Sequence, residues 1–403
     1  MTRRVVVIGG GIVGAAVAAG LSRHQRIDVT VVERGPEQRL LGSTGHAPGF
    51  VSELSESSVL TELAVASTEL YSGLETGASG FDRIGGLEIA ASESALANLE
   101  RRARMAATMG IEARMLEPAE TVALAPPFVD PGTCLGGLLM PEDGAARGSV
   151  LTSALMARAE RHGAQVRYDT ACTAIIQHGG RVAGVHTSSG ERLDADDVVI
   201  AAGIWGSEIA ALAGLEVCFT SVAHPYVYGP VREPLGSARL PFAKWRSETV
   251  YARDHGDRFG IGTHTNDGPA VDAAALSEAE LPWPTEEFEA AIEAAMQLLP
   301  KEYHFAVEKR LNGLFSMTAD GLPLLGSASS VDGLWVAVSL WLTHAGGAAR
   351  ALVEMMTEQP PSVEGLEAMR PERFAGQDEE QLTAAALSNY RRIWMPAEQA
   401  AER

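Results

Sequence analysis

The first 33 residues constrain the fold more than any other part of the chain. Val5 to Ile8 form a short apolar run rich in β-branched residues, as is typical of a strand buried on both faces. A glycine-rich turn, Gly9–Gly14, follows, then a helix-favouring segment and a second β-branched run, Val29–Val32, that ends on Glu33. The order strand, glycine-rich turn, helix, strand and acid predicts a Rossmann-type α/β fold that binds a dinucleotide.

The glycines of this turn have different expected roles. Gly9 permits the tight turn, Gly11 lets the backbone approach a pyrophosphate, and Gly14 lets the helix pack on the strand. The pyrophosphate would lie at the positive N-terminus of the helix, and Glu33 would accept hydrogen bonds from ribose hydroxyls. The alternative is a structural turn in another α/β fold, and the motif alone does not distinguish FAD from NAD.

Composition limits the class of protein. A length of 403 residues suggests roughly two to three domain-sized units. The three cysteines (Cys134, Cys172 and Cys218) have no metal-binding or redox spacing, and no transmembrane run or signal peptide is evident. We therefore expect a cytoplasmic protein with reduced thiols, no metal site and no membrane association. The net charge of −20 argues against binding to nucleic acid or to an anionic membrane.

The pattern of elements changes along the chain. After residue 84, hairpin-like strands and helices replace the third parallel strand that a one-domain Rossmann fold would have, and the earlier pattern returns near Gly148. We expect a dinucleotide-binding domain of residues 1–84, 146–219 and 311–403, interleaved with a mixed α+β substrate domain of residues 85–145 and 220–310. Thr285 is expected to cap a helix that Pro300 stops.

Several further motifs accompany the opening turn. They are the loop Gly42–Gly49 (GSTGHAPG), the strand end Ala201–Trp205 (AAGIW), the segment Asp320–Gly326 (DGLPLLG), the helix start Thr343–His344, and the segments His224–Val227 and Tyr251–Gly262. Together they resemble the flavin domain of dimethylglycine oxidase and of dimethylglycine and sarcosine dehydrogenases, within the D-amino-acid-oxidase-like flavoenzymes. The resemblance runs from about residue 4 to residue 393. Those relatives continue into a folate-binding, aminomethyltransferase-like half, and this chain stops where that half would begin.

The resemblance implies FAD as the cofactor, attached through His46. In the family, the imidazole at this position is bonded to the flavin 8α-methyl group, which holds the flavin and makes it a stronger hydride acceptor. The alternative is a loop histidine that contacts phosphate or water, and Gly45 stands where relatives carry a larger residue. The implied cofactor-binding residues are Gly9, Gly11, Gly14, Glu33, Ser43, Thr44, His46, Cys172, Gly203, Trp205, Gly321, Thr343, His344 and Gly346.

The helix that starts at Thr343 has its own implied role. Its free N–H groups and dipole would face the flavin N1–C2=O locus and stabilise the reduced, anionic flavin. The alternative is an ordinary helix start with glycines for close packing. For Cys172 the resemblance implies a backbone contact with the adenine end, and a plain buried thiol is the alternative.

The resemblance places His224 and Tyr251 over the flavin face as catalytic residues. An amine must be neutral before a hydride leaves its α-carbon, so a group that accepts or relays its proton is needed. A core histidine and a buried tyrosine with a satisfied hydroxyl are the structural alternatives. Tyr226 and His255 are weaker candidates. Four basic residues lie in the segment where a substrate carboxylate would need a cation, and the sequence does not choose among them: Lys244, Arg246, Arg253 and Arg239.

The implied function is an FAD-dependent amine oxidoreductase. It would oxidise the C–N bond of an N-methylated, glycine-like amine by hydride transfer to flavin, and the iminium would yield formaldehyde and the demethylated amine. O2 or an electron carrier would be the oxidant, and a separate folate-binding protein is a further candidate partner. Two alternatives stay open: an oxidase of another secondary or cyclic amine, such as a tailoring N-demethylase, and a flavin-carrying subunit of a folate-dependent assembly.

Overall fold

The computed structural model describes residues 2–74, 80–235, 239–264 and 268–394. Within these ranges the α-helices are α1 (Ile12–Leu21), α2 (Ser43–His46), α3 (Ser58–Ser72), α4 (Glu93–Thr108), α5 (Pro118–Leu124), α6 (Gly148–Arg161), α7 (Gly206–Ala211), α8 (Thr285–Met296), α9 (Leu342–Met356) and α10 (Glu379–Arg391). The strands are β1 (Arg3–Ile8), β2 (Ile27–Val32), β3 (Phe50–Val51), β4 (Phe81–Arg83), β5 (Gly86–Ala90), β6 (Arg114–Leu116), β7 (Gly136–Met140), β8 (Gly144–Ala146), β9 (Gln165–Arg167), β10 (Cys172–His178), β11 (Arg181–Thr187), β12 (Arg192–Asp194), β13 (Asp197–Ile200), β14 (Thr220–Tyr228), β15 (Phe242–Trp245), β16 (Val250–Asp254), β17 (Phe259–Thr263), β18 (Ala270–Val271), β19 (Glu280–Leu281), β20 (Lys309–Met317), β21 (Leu324–Ser327) and β22 (Leu334–Val338).

Two large sheets organise these elements. The first has the strand order β21-β22-β13-β1-β2-β9, parallel except for the pair β21–β22. The second has the order β19-β20-β14-β17-β16-β15-β5-β7-β6, with β18 added beside β14. It is antiparallel except where β15 pairs with β5. The predicted Rossmann-type α/β class with a mixed α+β part is therefore confirmed.

The predicted domain boundaries can be compared with the sheets. Strands β5, β6 and β7, from residues 85–145, belong to the second sheet, whereas β8 pairs with β3 and β4 in a small separate sheet. The predicted boundary between residues 310 and 311 falls inside β20, and all nine residues of β20 pair with β14. The division into two domains stays a proposal.

The first sheet carries a closely packed helical layer. Helix α1 is buried along nearly its whole length and packs against α6 and α9. A side chain at Gly14 would collide with the carbonyl oxygen of Gly9, and one at Gly347 in α9 would collide with the backbone of Leu63 in α3. The first approach holds the start of α1 against the glycine-rich turn at the end of β1, and the second holds α9 against α3.

The structure corrects one prediction about a helix cap. Thr285 is the first residue of α8 and Pro284 is its cap, so the prediction that Thr285 caps the helix is wrong. Pro284 has an extended backbone, with φ −84° and ψ 91°, so the helical conformation begins only at Thr285. Among the described residues, no helix is long and apolar enough to cross a membrane. The cytoplasmic location stays a prediction.

Candidate active site

A cavity of about 470 Å³ is lined by residues of both large sheets. From the first sheet come the glycine-rich turn after β1 and the carboxyl ends of β13 and β22, which meet at one edge because these strands are parallel. From the second sheet come His224 of β14 and Tyr251 of β16. Its volume is within the range of small-molecule sites in proteins, which is about 300–1,000 Å³.

Most of the predicted cofactor-binding residues line this cavity. They are Gly9, Gly11, Glu33, Ser43, Thr44, His46, Cys172, Gly203, Trp205, Thr343 and His344. Three described residues of the predicted set do not line it. Gly14 lies within α1 and packs on the carbonyl of Gly9, the main-chain N–H of Gly346 donates to the Tyr71 hydroxyl at 3.0 Å, and Gly321 lines a separate cavity of about 20 Å³.

The glycine-rich turn is held open by its own contacts. Gly9 has a φ of +108°, and a side chain there would collide with the carbonyl of Ala201. The Glu33 carboxylate accepts hydrogen bonds from the N–H groups of Gly10 and Gly35, each at 2.6 Å. Glu33 therefore orders the turn, and its contact with a ribose stays a prediction.

His46 and its neighbour Ser43 leave polar atoms unused. The His46 Nε2 and the Ser43 Oγ are buried and have no hydrogen-bond partner among the described residues. The imidazole lies 3.5 Å from Glu278 and 3.6 Å from Glu280. Burial lowers the pKa of His46 below its usual value although both carboxylates oppose this shift. A neutral imidazole keeps the lone pair that a bond to carbon requires. The same three side chains are close enough to chelate a cation.

Three other predicted residues line the cavity in different local surroundings. The Trp205 Nε1 donates to the carbonyl of Ala273 at 3.1 Å, and the Arg34 guanidinium lies 3.5 Å above the indole ring. Gly203 has a φ of +54°, which glycine adopts without strain. Burial raises the pKa of Cys172 to about 11, so this residue is a neutral thiol.

The N-terminus of α9 also faces the cavity. Leu342 and Thr343 occupy its first turn, where main-chain N–H groups have no acceptor within the helix. The Thr343 hydroxyl donates to the carbonyl of Phe50 at 3.2 Å, which joins this turn to the His46 loop region. Burial lowers the pKa of His344 to about 4, so its imidazole is neutral beside this turn.

The register of the second sheet brings the candidate catalytic residues together. Lys244 pairs with Tyr251, Tyr251 pairs with Gly262, and Gly262 pairs with Tyr226. His224 lies two residues before Tyr226 on β14 and so on the same face of the sheet. Gly262 has no side chain between the two tyrosine rings, whose centroids stack at 5.7 Å.

His224 links two tyrosine hydroxyls. Its Nε2 is hydrogen-bonded to the Tyr251 hydroxyl, and its Nδ1 lies 2.7 Å from the Tyr390 hydroxyl. Burial, with a smaller contribution from His264, lowers the pKa of His224 well below its usual value. Burial raises the pKa of Tyr251 well above its usual value. A neutral imidazole therefore lies between two tyrosine hydroxyls. The weaker pair, Tyr226 and His255, forms a separate hydrogen bond of 2.9 Å.

Sequence reasoning missed His264, Tyr390 and Trp394 in this region. His264 and Trp394 line the cavity, and their ring centroids are 5.1 Å apart. The His264 Nδ1 is buried without a hydrogen-bond partner among the described residues. The only signal for His264 was its position two residues beyond the Tyr251–Gly262 motif, and no motif included the end of α10.

The structure separates the four candidate cations. Arg253 donates to the carbonyl of Pro48 at 2.7 Å and Arg239 pairs with Asp82, and neither lines the cavity. Lys244 and Arg246 do line it. Two candidates thus face the ligand space.

Lys244 and Arg246 belong to a buried ionic cluster. Arg102 forms two hydrogen bonds to Glu88, at 2.6 and 2.8 Å, and Arg246 lies 3.6 Å from the same carboxylate. Burial lowers the pKa of Lys244 although Asp143 and Glu88 oppose this shift. Burial raises the pKa of Asp143 although Lys244 opposes it. Lys244 therefore lies at the cavity wall with Asp143 and Glu88 as its opposing charges, in a position to meet an incoming anion.

Comparisons with known proteins agree with these motifs. The family model described as "FAD dependent oxidoreductase" matches residues 4–355. Mitochondrial sarcosine dehydrogenase of Mus musculus is 29% identical over 89% of this chain and 40% of its own length. Mitochondrial dimethylglycine dehydrogenase of Homo sapiens is 27% identical over 94% of this chain and 45% of its own length. The resemblance inferred from the motifs is confirmed, and the chain spans less than half the length of these relatives.

A solved structure supports the fold. The crystal structure of L-proline dehydrogenase from P. horikoshii has a TM-score of 0.80 at 20% identity, and the match covers 93% of this chain and 98% of that chain. At this level of identity the match shows a shared fold.

Proposed function

Because the chain belongs to the family of FAD dependent oxidoreductases, we propose that it binds FAD in the large cavity and oxidises the C–N bond of an N-methylated amino acid. One observation carries this proposal: the cavity is continuous from the glycine-rich turn at the start of α1 to the hydrogen-bonded pair His224–Tyr251. A dinucleotide-binding turn and a group that handles protons on the walls of one cavity suit a flavin-dependent oxidation.

The residues around the cavity fit the cofactor. Gly9 and Gly11 leave backbone exposed at the start of α1, where a pyrophosphate binds well. Ser43 and His46 offer buried, unpartnered polar atoms further along the same wall. We propose that His46 bonds covalently to the flavin through one of its ring nitrogens. When bound, FAD supplies the acceptor for a hydride and stores the two electrons.

His224 and Tyr251 would remove the proton from the substrate ammonium group. An ammonium nitrogen has no lone pair to form the C=N bond as a hydride leaves, so the amine must first lose a proton. The Tyr251 hydroxyl lines the cavity and is hydrogen-bonded to His224, and together they form a relay for this proton. Water then hydrolyses the iminium product to formaldehyde and the demethylated amine.

Lys244 would receive the carboxylate of the substrate. Its ammonium group is buried at the cavity wall, is opposite Tyr251 in the sheet, and donates to the Ser52 hydroxyl. Arg246 is already hydrogen-bonded to the main-chain carbonyl of Trp394 at 2.9 Å. A carboxylate on Lys244 would place an α-amine near Tyr251, because the two side chains are neighbours across β15 and β16. This geometry supports a glycine-like substrate.

Anaerobic reduction of the bound flavin tests the proposal. Sarcosine and dimethylglycine should remove the oxidised flavin absorbance and release one formaldehyde per flavin, whereas glycine and dimethylamine should do so far more slowly. Dithionite controls for a reducible flavin. Reduction only by L-proline or another cyclic amine would favour the alternative substrate class. If dithionite reduces the flavin and no amine does, the chain is better explained as a flavin-carrying subunit, and adding a folate-binding partner is the next experiment. Repeating the active reaction with and without O2 identifies the oxidant.

A further inference from the structure

The C-terminal helix α10 reaches the candidate catalytic histidine from outside the cavity. The side chain of Asp378 caps α10 by accepting from the N–H of Gln381 at 2.8 Å. Tyr390 lies in the last turn of this helix, and its hydroxyl is 2.7 Å from the His224 Nδ1. Tyr390 does not line the cavity, so any effect on the substrate must pass through His224.

The ring of Tyr390 is fixed by packing. It is fully buried in a cluster with Val222, Met317 and Ala386. The backbone of Gly268 is so close that a side chain there would come within 3.0 Å of the tyrosine ring. The hydroxyl is therefore held in one direction, towards the imidazole.

We propose that Tyr390 is a positioning residue that keeps the His224 proton on Nδ1 and leaves Nε2 as the acceptor for the Tyr251 hydroxyl. A neutral imidazole has one N–H and one lone pair, so it donates to one flanking hydroxyl and accepts from the other. Of the two hydroxyls, only that of Tyr251 faces the cavity. The histidine lone pair must therefore point to Tyr251 if Tyr251 is to pass a proton onward. Both the choice of tautomer and its kinetic consequence rest on the proposed function, but the tautomer can be measured without any substrate.

The proton transfer balances without a further reactant. The substrate ammonium gives its proton to the Tyr251 oxygen, and the original Tyr251 proton moves to the His224 Nε2. The imidazolium that forms still donates from Nδ1 to the Tyr390 oxygen, which stabilises the charged ring. The titratable groups that face His224 are Tyr251 from β16, His264 after β17 and Tyr390 from α10, with Lys244 beside His264. Phe315 of β20 covers the remaining side.

Nitrogen NMR of histidine-labelled, FAD-loaded protein reads the tautomer directly and needs no substrate. The His224→Gln variant assigns the signals of this ring by their loss. In the wild-type protein we expect a protonated Nδ1 and an unprotonated Nε2, and in Tyr390→Phe a mixture of tautomers. A wild-type ring protonated on Nε2 would overturn the inference, and that measurement does not depend on how Tyr390→Phe folds.

The pH dependence of flavin reduction is the second readout. Tyr390→Phe removes a single hydroxyl and should slow reduction about tenfold near neutral pH, because the imidazolium loses one hydrogen bond. The apparent pKa of the reaction should rise, because the bound amine then keeps its proton more tightly, and the rates should converge at high pH. Tyr303→Phe, which removes a hydroxyl from a ring packed on Phe259, is the matched control. If the wild-type protein turns over and Tyr390→Phe has an unchanged pH profile, the inference about Tyr390 is refuted and the proposed function is not. Absence of turnover in the wild type refutes only the proposed function.

Discussion

Replacing Lys244 by methionine tests which cation receives the substrate carboxylate. Methionine keeps an unbranched side chain of similar length and removes the charge. Lys244 is only 6% exposed, so solvent does little to screen its interaction with a bound anion. A hydrogen bond to a charged group is worth about 1.5–3 kcal/mol. At about 1.36 kcal/mol per tenfold, affinity for a carboxylate ligand should fall roughly 10- to 150-fold.

The variant should nevertheless fold. Among the carboxyl groups, Asp143 has the largest electrostatic effect on Lys244. Its pKa is already raised, so it can take up a proton when the ammonium group is lost. Glu88 keeps its two hydrogen bonds to Arg102 and the nearby charge of Arg246. The loss of one cation therefore does not leave a buried carboxylate without compensation.

The assay uses 3-methylbutanoate, which has the shape of dimethylglycine but no amine to oxidise or titrate. Its binding is followed by the change it causes in the flavin absorbance, and 3-methylbutanamide is the uncharged control ligand. We expect Lys244→Met to weaken binding of the acid and to leave binding of the amide within about twofold, because the amide makes no charged hydrogen bond. Lys301→Met removes an exposed lysine away from the cavity and should change neither value.

The pH dependence has a definite sign. Burial lowers the pKa of Lys244, so its charge is lost at a pH below the usual value for lysine, about 10.4. Deprotonation of Asp143 on the same rise in pH also opposes a bound anion. Affinity for 3-methylbutanoate should therefore fall as the pH rises above neutrality. Equal affinities for the acid in Lys244→Met and the wild-type protein would refute the assignment and leave Arg246 as the alternative.

Three other predictions follow from the structure. His46→Ala should release all of its FAD on acid denaturation, whereas the wild-type chain should keep it, and free flavin from the denatured wild type would exclude the covalent bond. His224→Gln and Tyr251→Phe should each slow anaerobic flavin reduction by roughly 10²–10⁴ while FAD stays bound, as expected for loss of a general acid–base group; near-normal rates would assign both residues a structural role. Gly347→Ala should lower the free energy of unfolding by about 1–3 kcal/mol in urea titrations, because the new methyl group meets the backbone of Leu63, and an unchanged midpoint would contradict this packing argument.

Local patterns in the sequence determined the first sheet and the class of ligand. The apolar run Val5–Ile8, the glycine-rich turn and the acid at position 33 are consecutive features whose meaning depends on short-range geometry. The positive φ at Gly9 and the close packing of the helix at Gly14 can be predicted from this short segment alone, without knowledge of distant residues. Motifs such as the His46 loop depended instead on resemblance, because their residue types alone indicate only loops.

The choice among equivalent residues was decided only by the tertiary structure. Lys244 and Arg253 both lie on strands of the same sheet, but of these two only Lys244 lines the cavity. Arg253 instead donates hydrogen bonds to backbone carbonyls of the His46 loop. Tyr390 meets His224 across 166 positions of sequence, through the docking of α10 on β14. Such contacts depend on strand register and on helix docking, which sum many weak packing interactions over distant segments, and no local pattern in the chain encodes them.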